Sequence, residues 1–193
     1  MKKAFVFGVL LSLLLAVAGC TTSSGTNQET NALGDTDTST EMAGLEKFTA
    51  TDLNGQQVTQ EVFAKYDVTM INIWGTYCSY CLQEMPGLGE LAQEYKDKNV
   101  QIIGIVIDVL EPNGEISAEQ VNLAQTIVKQ TGANYQHLLP SKDLILAKLQ
   151  YVTGIPETFF VDKKGNIIGN SYYEAKSKAQ WAKIIDTMLK EVK

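Results

Sequence analysis

The chain has no arginine: all sixteen of its basic residues are lysine, set against twenty-two acids for a formal charge of −6. The planar two-point grip that a guanidinium offers phosphate or carboxylate is therefore missing. With no basic cluster in the body of the chain, nucleic-acid binding has no electrostatic footprint. Histidine occurs once, as His137, and cysteine three times, as Cys20, Cys78 and Cys81. Zinc takes four ligands, or three in an open catalytic site. Cys78, Cys81 and His137 come with no second cysteine or histidine pair, so no metal centre is expected. Long apolar runs are equally scarce. The longest, from Ala4 to Ala18, is shorter than the roughly 20 residues that span a bilayer. At 193 residues the chain has room for one well-cored domain plus extras.

What precedes that domain reads as targeting sequence. Lys2 and Lys3 form a positive start, the apolar run follows, and small residues lead into a cysteine at Val17-Ala18-Gly19-Cys20. A secretory signal that happens to adjoin a cysteine would look similar. The four residues nonetheless resemble a bacterial lipobox, which implies residues 1–19 as a signal peptide and lipid attachment at Cys20. Two acyl chains would anchor stably where one is marginal. From 20 to 44 the chain is mostly Thr, Ser, Asn, Gln, Gly and acids, with no lysine and almost nothing large and apolar. Such a composition cannot bury enough surface to offset its ordering entropy, and it reads as a flexible linker.

The folded part is expected over 45–193. Phe48 to Leu53 and Gln56 to Thr59 flank Asn54-Gly55, a pair that favours a type I′ hairpin. Thr69 to Trp74 and Gln101 to Ile107 are short apolar runs rich in β-branched residues, as in buried strands. A helix is predicted from about Cys78 to Asp97, with Met85, Leu88, Ala92 and Tyr95 recurring at steps of three and four. Pro86 inside it removes one backbone bond and predicts a kink. Ser117 to Gln120 fits a capping box opening a helix to about Gln130. Tyr135 to Leu139 reads as a strand and Asp143 to Leu149 as a short helix. Thr158 to Val161 and Asn166 to Gly169 bracket a turn, and a last helix runs from about Glu174 to Glu191. Strands alternating with helices, closed by a hairpin and a helix, indicate an α/β sandwich around a central mixed sheet.

The stretch Trp74-Gly-Thr-Tyr-Cys-Ser-Tyr-Cys81 holds two cysteines three apart. As a structural staple they would close too small a loop to restrain the unfolded chain much. As a redox pair they are well placed. Cys78 falls between a strand and a helix start, near unpaired N–H groups and the positive end of the macrodipole. That setting lowers a thiol's pKa and frees the thiolate as a nucleophile. Cys81, about one turn on, can then attack a mixed disulfide formed at Cys78. Glu84 lies between inward-facing positions of the helix. It is either a solvated glutamate or a carboxylate able to exchange protons with Cys81. Pro156, after Ile155, either starts a strand or sits in a cis bond, which local sequence alone does not favour.

These residues resemble the TlpA/ResA group of membrane-tethered thioredoxin-like proteins. The likeness runs from about Phe48 to the C-terminus. It is carried by Asn54-Gly55, by Asn72 through Pro86 with its Trp-x-x-x-Cys-x-x-Cys-x-x-Glu-x-Pro pattern, and by Gly154-Ile-Pro-Glu-Thr-Phe-Phe-Val-Asp162. It implies a thioredoxin-like fold with an N-terminal β-hairpin and an inserted strand–helix region after Asp108. It implies Cys78 as attacking thiol, Cys81 as resolving thiol and Glu84 as buried catalytic glutamate. It also puts Trp74, Ile155 and a cis Pro156 on the substrate-binding surface. Asn72 stands where many thioredoxins carry a buried aspartate, which throws proton handling onto Glu84. No cofactor is implied beyond a redox-active Cys78–Cys81 disulfide. Tyr77 and Tyr80 depart from the tryptophan and proline frequent at those places, so the redox poise is not inherited.

The activity so implied is thiol–disulfide exchange outside the cytoplasm, at the outer face of the cell membrane. The group's expected partners are a membrane thiol transporter of the CcdA/DsbD kind as electron donor and an oxidised client. Apocytochrome c and methionine sulfoxide reductase are the client classes in view. The alternatives are a disulfide-forming oxidase or isomerase, a thiol peroxidase, and a binding lipoprotein with a vestigial pair. The lack of arginine weighs against a peroxidase.

Overall fold

The computed structural model describes residues 44–192. The expected signal peptide at 1–19, the lipidated Cys20 and all of the linker before Gly44 lie outside the described residues. Among the described residues no helix is long and apolar enough to cross a membrane.

The expected hairpin is present as β1 (Thr49–Thr51) and β2 (Gln57–Thr59), antiparallel. Its turn differs from the expected type I′, which needs positive φ at two successive residues. Only Gly55 has positive φ, at 77°. Gly55 N–H returns to Asp52 O at 2.9 Å, and Asp52 Oδ1 accepts from both Asn54 N and Gln56 N. The aspartate side chain thus does the work that a left-handed Asn54 would otherwise do.

Five strands make the central sheet: β3 (Val68–Trp74), β4 (Val100–Val106), β5 (Gln136–Leu138), β6 (Glu157–Val161) and β7 (Ile167–Tyr172), in spatial order β5-β4-β3-β6-β7. The pairs β3–β4 and β4–β5 are parallel, β3–β6 and β6–β7 antiparallel. Every residue of β3 is buried, Thr69 and Asn72 among its apolar neighbours included, as expected of a central strand in a sheet covered on both faces.

One face carries Met70, Ile102 and Phe160 against α1 (Ser79–Glu94) and α4 (Lys178–Glu191), with Leu88, Leu91, Trp181 and Ile185 packed between. The other carries Ile71, Ile73, Ile103, Ile105 and Phe159 against the hairpin and α3 (Lys142–Ala147). Each such side chain withdrawn from water contributes about 1.5–3 kcal/mol. The region after Asp108 holds α2 (Ala118–Thr131) and then β5, so its order is helix then strand. Ser117 caps α2 by position only. Its side chain makes no cap bond, and Gln120 instead points its Oε1 at Thr76 Oγ1, 3.5 Å away. The capping box that does form is Ser177 with Gln180, at the start of α4.

Candidate active site

Buried β3 delivers the chain to the top of the sheet at Trp74. The turn that follows is held from below. Thr76 donates through its backbone N–H (2.8 Å) and its hydroxyl (2.5 Å) to Asp108 Oδ2, just past β4. A Cβ on Gly75 would come within 2.9 Å of Ile155 Cδ1 and 3.2 Å of the Tyr77 ring, so two neighbouring side chains close over this glycine. Cys78 is then the N-cap of α1, in extended conformation, and its Sγ accepts Cys81 N–H at 3.2 Å. No acid occupies the first turn, so nothing there opposes the helix's positive end.

Cys78 and Cys81 form a disulfide with Cα atoms 5.2 Å apart. Cys78 keeps 7% of its surface while Cys81 has none, so an incoming group reaches Cys78 first. Facing Cys78 Sγ at 3.6 Å is the carbonyl oxygen of Ile155, and the Ile155–Pro156 bond is cis. A groove of about 350 Å³ beside this loop is lined by Tyr80, Ile155, Pro156, Tyr173, Glu174 and Ala175. Tyr77, Tyr80 and Tyr173 are exposed by 73%, 65% and 59%. Large aromatic surface left in water around a reactive sulfur is what a docking surface presents.

Glu84, one of the two open readings of the helix pattern, is the buried one, at 4% exposure. Its Oε1 accepts Asn72 Nδ2 at 3.0 Å; its Oε2 accepts Trp181 Nε1 at 3.0 Å and Lys176 N–H at 3.1 Å. Burial pushes its pKa above the ordinary carboxylate value. The three donors and the Lys176 charge pull back against that rise. Asn72 also donates to Thr158 Oγ1 at 3.0 Å, which ties Glu84 to β6 through β3.

Trp74 corrects an expectation. It has no exposed surface, and its indole N–H donates to His137 Nδ1 at 3.1 Å. A side chain wholly enclosed beneath the disulfide supports the site but does not touch what docks above it. His137 is likewise internal: its Nε2 bonds Ala133 O at 2.9 Å and its ring stacks on Tyr135 at a centroid distance of 4.4 Å. Both ring nitrogens are engaged, and burial holds its pKa down at about 4.

Three features of the site escape a reading of spacing. Asp108 was legible only as the end of a strand. Trp181 and Lys176 reach Glu84 from more than ninety residues away. The third left a trace, since Glu157 is a charge opening a strand whose other residues are Thr, Phe, Phe and Val. It pairs with Lys148 at 2.5 Å, both side chains buried.

With this geometry in place, the model of the AhpC/TSA family matches residues 43–169. The ResA thiol–disulfide oxidoreductase of Bacillus thuringiensis subsp. konkukian (strain 97-27) is 29% identical over 171 residues, covering 86% of this chain and 87% of its own. That of Geobacillus kaustophilus (strain HTA426) is 29% identical over 160 residues, covering 82% and 80%. A thioredoxin-family thiol:disulfide interchange protein of Chlorobium tepidum TLS superposes with a TM-score of 0.62 at 22% identity, covering 76% of this chain and 96% of that one. A secreted Mycobacterium tuberculosis disulfide oxidoreductase gives 0.57 at 20%, covering 74% and 96%. The two superpositions show a thioredoxin-like fold.

Proposed function

The chain belongs to the AhpC/TSA family and is a TlpA/ResA-like thiol–disulfide oxidoreductase; on that footing we propose that it works outside the cytoplasm as a reductant of disulfides in client proteins. The observation that carries the direction is Glu84, a carboxylate buried one helical turn past Cys81. A negative charge there disfavours a second one on sulfur, holds the dithiol form protonated and makes the pair more reducing.

In the reduced protein the Cys78 thiolate attacks one sulfur of the client disulfide. The client S–S bond breaks, a mixed disulfide forms at Cys78, and one client sulfur leaves as thiolate and takes a proton. Cys81 gives its proton to the Glu84 carboxylate, and its thiolate attacks Cys78 Sγ. The second client sulfur is released, and the chain is left with the Cys78–Cys81 disulfide seen here. Two electrons have passed to the client. The Ile155 carbonyl beside Cys78, with the neighbouring groove, is where an extended client segment would lie.

Re-reduction falls to a membrane thiol transporter of the CcdA/DsbD kind. Apocytochrome c and methionine sulfoxide reductase are the clients we favour, and the lipid on Cys20 would hold the protein at the membrane. The lipobox-like Val17-Ala18-Gly19-Cys20 supports this placement. A peroxidase role, which the family's breadth invites, meets a chain without a guanidinium to polarise a peroxide.

The test has two parts. Cys78→Ser is expected to abolish reduction of insulin disulfides; full retained activity would overturn the exchange reading. The reduction potential, measured in glutathione buffers, is expected near thioredoxin's, about −270 mV. A value near that of DsbA, about −120 mV, would make the protein an oxidant instead.

A further inference from the structure

Glu84 is bonded from three directions. Asn72 approaches from β3, Trp181 from α4, and Lys176 from the connection between β7 and α4, while Cys81 stands one turn earlier on Glu84's own helix. The buried Tyr135 phenol, ahead of β5, feels the Glu84 charge and has its own pKa pushed up, mainly by burial. Of these groups Lys176 is the one cation. It acts twice. Its backbone N–H donates to Oε2 at 3.1 Å. Its ammonium lies 5.8 Å from the Trp181 ring centroid and 5.6 Å from that of Tyr172, over the same indole whose N–H holds Oε2. Cation–π contact of this kind gives a half-buried lysine a reason to stay in place and not swing into solvent.

We propose that Lys176 is a positioning residue for proton transfer: its backbone fixes one oxygen of Glu84, and its ammonium, seated over Trp181, keeps that carboxylate ionised and ready to take the Cys81 proton. This rests on the reading of Glu84 as the proton acceptor. Desolvation works against the ionised form that a base needs, and neutral donors offset it only in part. The Lys176 charge adds to their offset, although burial still prevails. The seat also has a direct link to the docking surface: Tyr173, Glu174 and Ala175, which wall the groove beside Pro156, lead straight into Lys176.

The experiment follows, against pH, the rate at which Cys81 resolves a mixed disulfide preformed between Cys78 and a peptide thiol, using the full chain. Lys176→Met keeps the N–H and the stem and removes the charge; Lys176→Arg keeps the charge. Lys176→Met should move the acidic limb of the profile to higher pH and slow resolution there about twofold, the size a half-exposed charge contact supports. Lys176→Arg should restore the wild-type profile. In a Glu84→Gln background, which should itself flatten the limb, Lys176→Met should change nothing further. A Lys176→Met profile identical to wild type, or a shift that persists without Glu84, overturns the role of Lys176 alone. An unchanged profile for Glu84→Gln by itself overturns the reading of Glu84, and this role with it.

Discussion

Lys148 Nζ lies 2.5 Å from Glu157 Oε1, with the two side chains only 2% and 1% exposed. Glu157 directly follows the cis-bonded Pro156, and Lys148 joins α3 to the 3₁₀ turn of Leu149–Tyr151. The pair therefore ties the loop facing Cys78 to the layer behind the sheet. Withdrawing two charges from water costs about as much as their attraction returns, so the pair as a whole adds little stability. Breaking it is another matter. Lys148→Met leaves Glu157 unpaired in the interior and should cost about 3–5 kcal/mol. Replacing both, as Lys148→Met with Glu157→Leu, should recover most of that loss. Urea unfolding of the oxidised protein gives both numbers; a single variant within about 1 kcal/mol of wild type would mean the pair is solvated.

The elements that local pattern announces are those the structure contains. β3 and β4 read as buried runs, α1 and α4 as amphipathic stripes, and the cysteine pair as a strand-to-helix dithiol. Each rests on contacts near in sequence, where periodicity and capping leave their mark. The failures are of two kinds: one is local, where a neighbouring side chain competes for the turn's backbone, and the others involve groups distant in sequence. Asn54-Gly55 promised a type I′ turn, but the Asp52 carboxylate took over the local N–H groups. Ser117 and Gln120 have capping-box spacing, but Gln120 turned towards Thr76 in another element. Trp74 could be placed beside the dithiol but not above or below it. Its burial is decided by His137, sixty-three residues on. Helical angle left Glu84 undecided because Trp181 and Lys176, which enclose it, come from the far end of the chain.

His137 gives the protein an acid-sensitive interior. Its pKa falls from 6.5 to about 4 on folding, chiefly through burial. The unfolded chain therefore takes up a proton first as pH drops. Stability from the neutral ring is complete above pH 6.5 and is lost on the way down to about pH 4. At 1.36 kcal/mol per pH unit this one group accounts for about 3 kcal/mol. Since the chain has a single histidine, its imidazole proton resonance can be followed without ambiguity. A titration midpoint near 4 is expected; one near 6.5 would show the ring open to water.

Gly104 leaves the room that this ring occupies. It pairs with Asn72 on one side and with His137 on the other. A Cβ added at Gly104 would run into His137 Nδ1, the atom that accepts the Trp74 indole N–H. Gly104→Ala must push the ring aside or lose that bond, and overpacking of this kind costs about 1–3 kcal/mol. The change should appear twice, as a lower urea midpoint and as a shift in Trp74 fluorescence. A variant as stable as wild type would mean that the interior yields more readily than its packing suggests.

The unequal burial of the two sulfurs decides which variant captures a client. Cys78 has 7% of its surface open and faces the Ile155 carbonyl, while Cys81 has none. A client sulfur can therefore bond to Cys78, and release depends on Cys81 attacking from beneath. Cys81→Ser should keep the first step and lose the second, so that a client mixed disulfide accumulates through Cys78. Cys78→Ser should accumulate none, because its one remaining thiol is enclosed. Non-reducing electrophoresis after incubation with a disulfide-bonded peptide separates the two outcomes. Adduct on Cys81 in the Cys78→Ser variant, at a rate like that of Cys81→Ser, would reverse the assignment of attacking and resolving thiols.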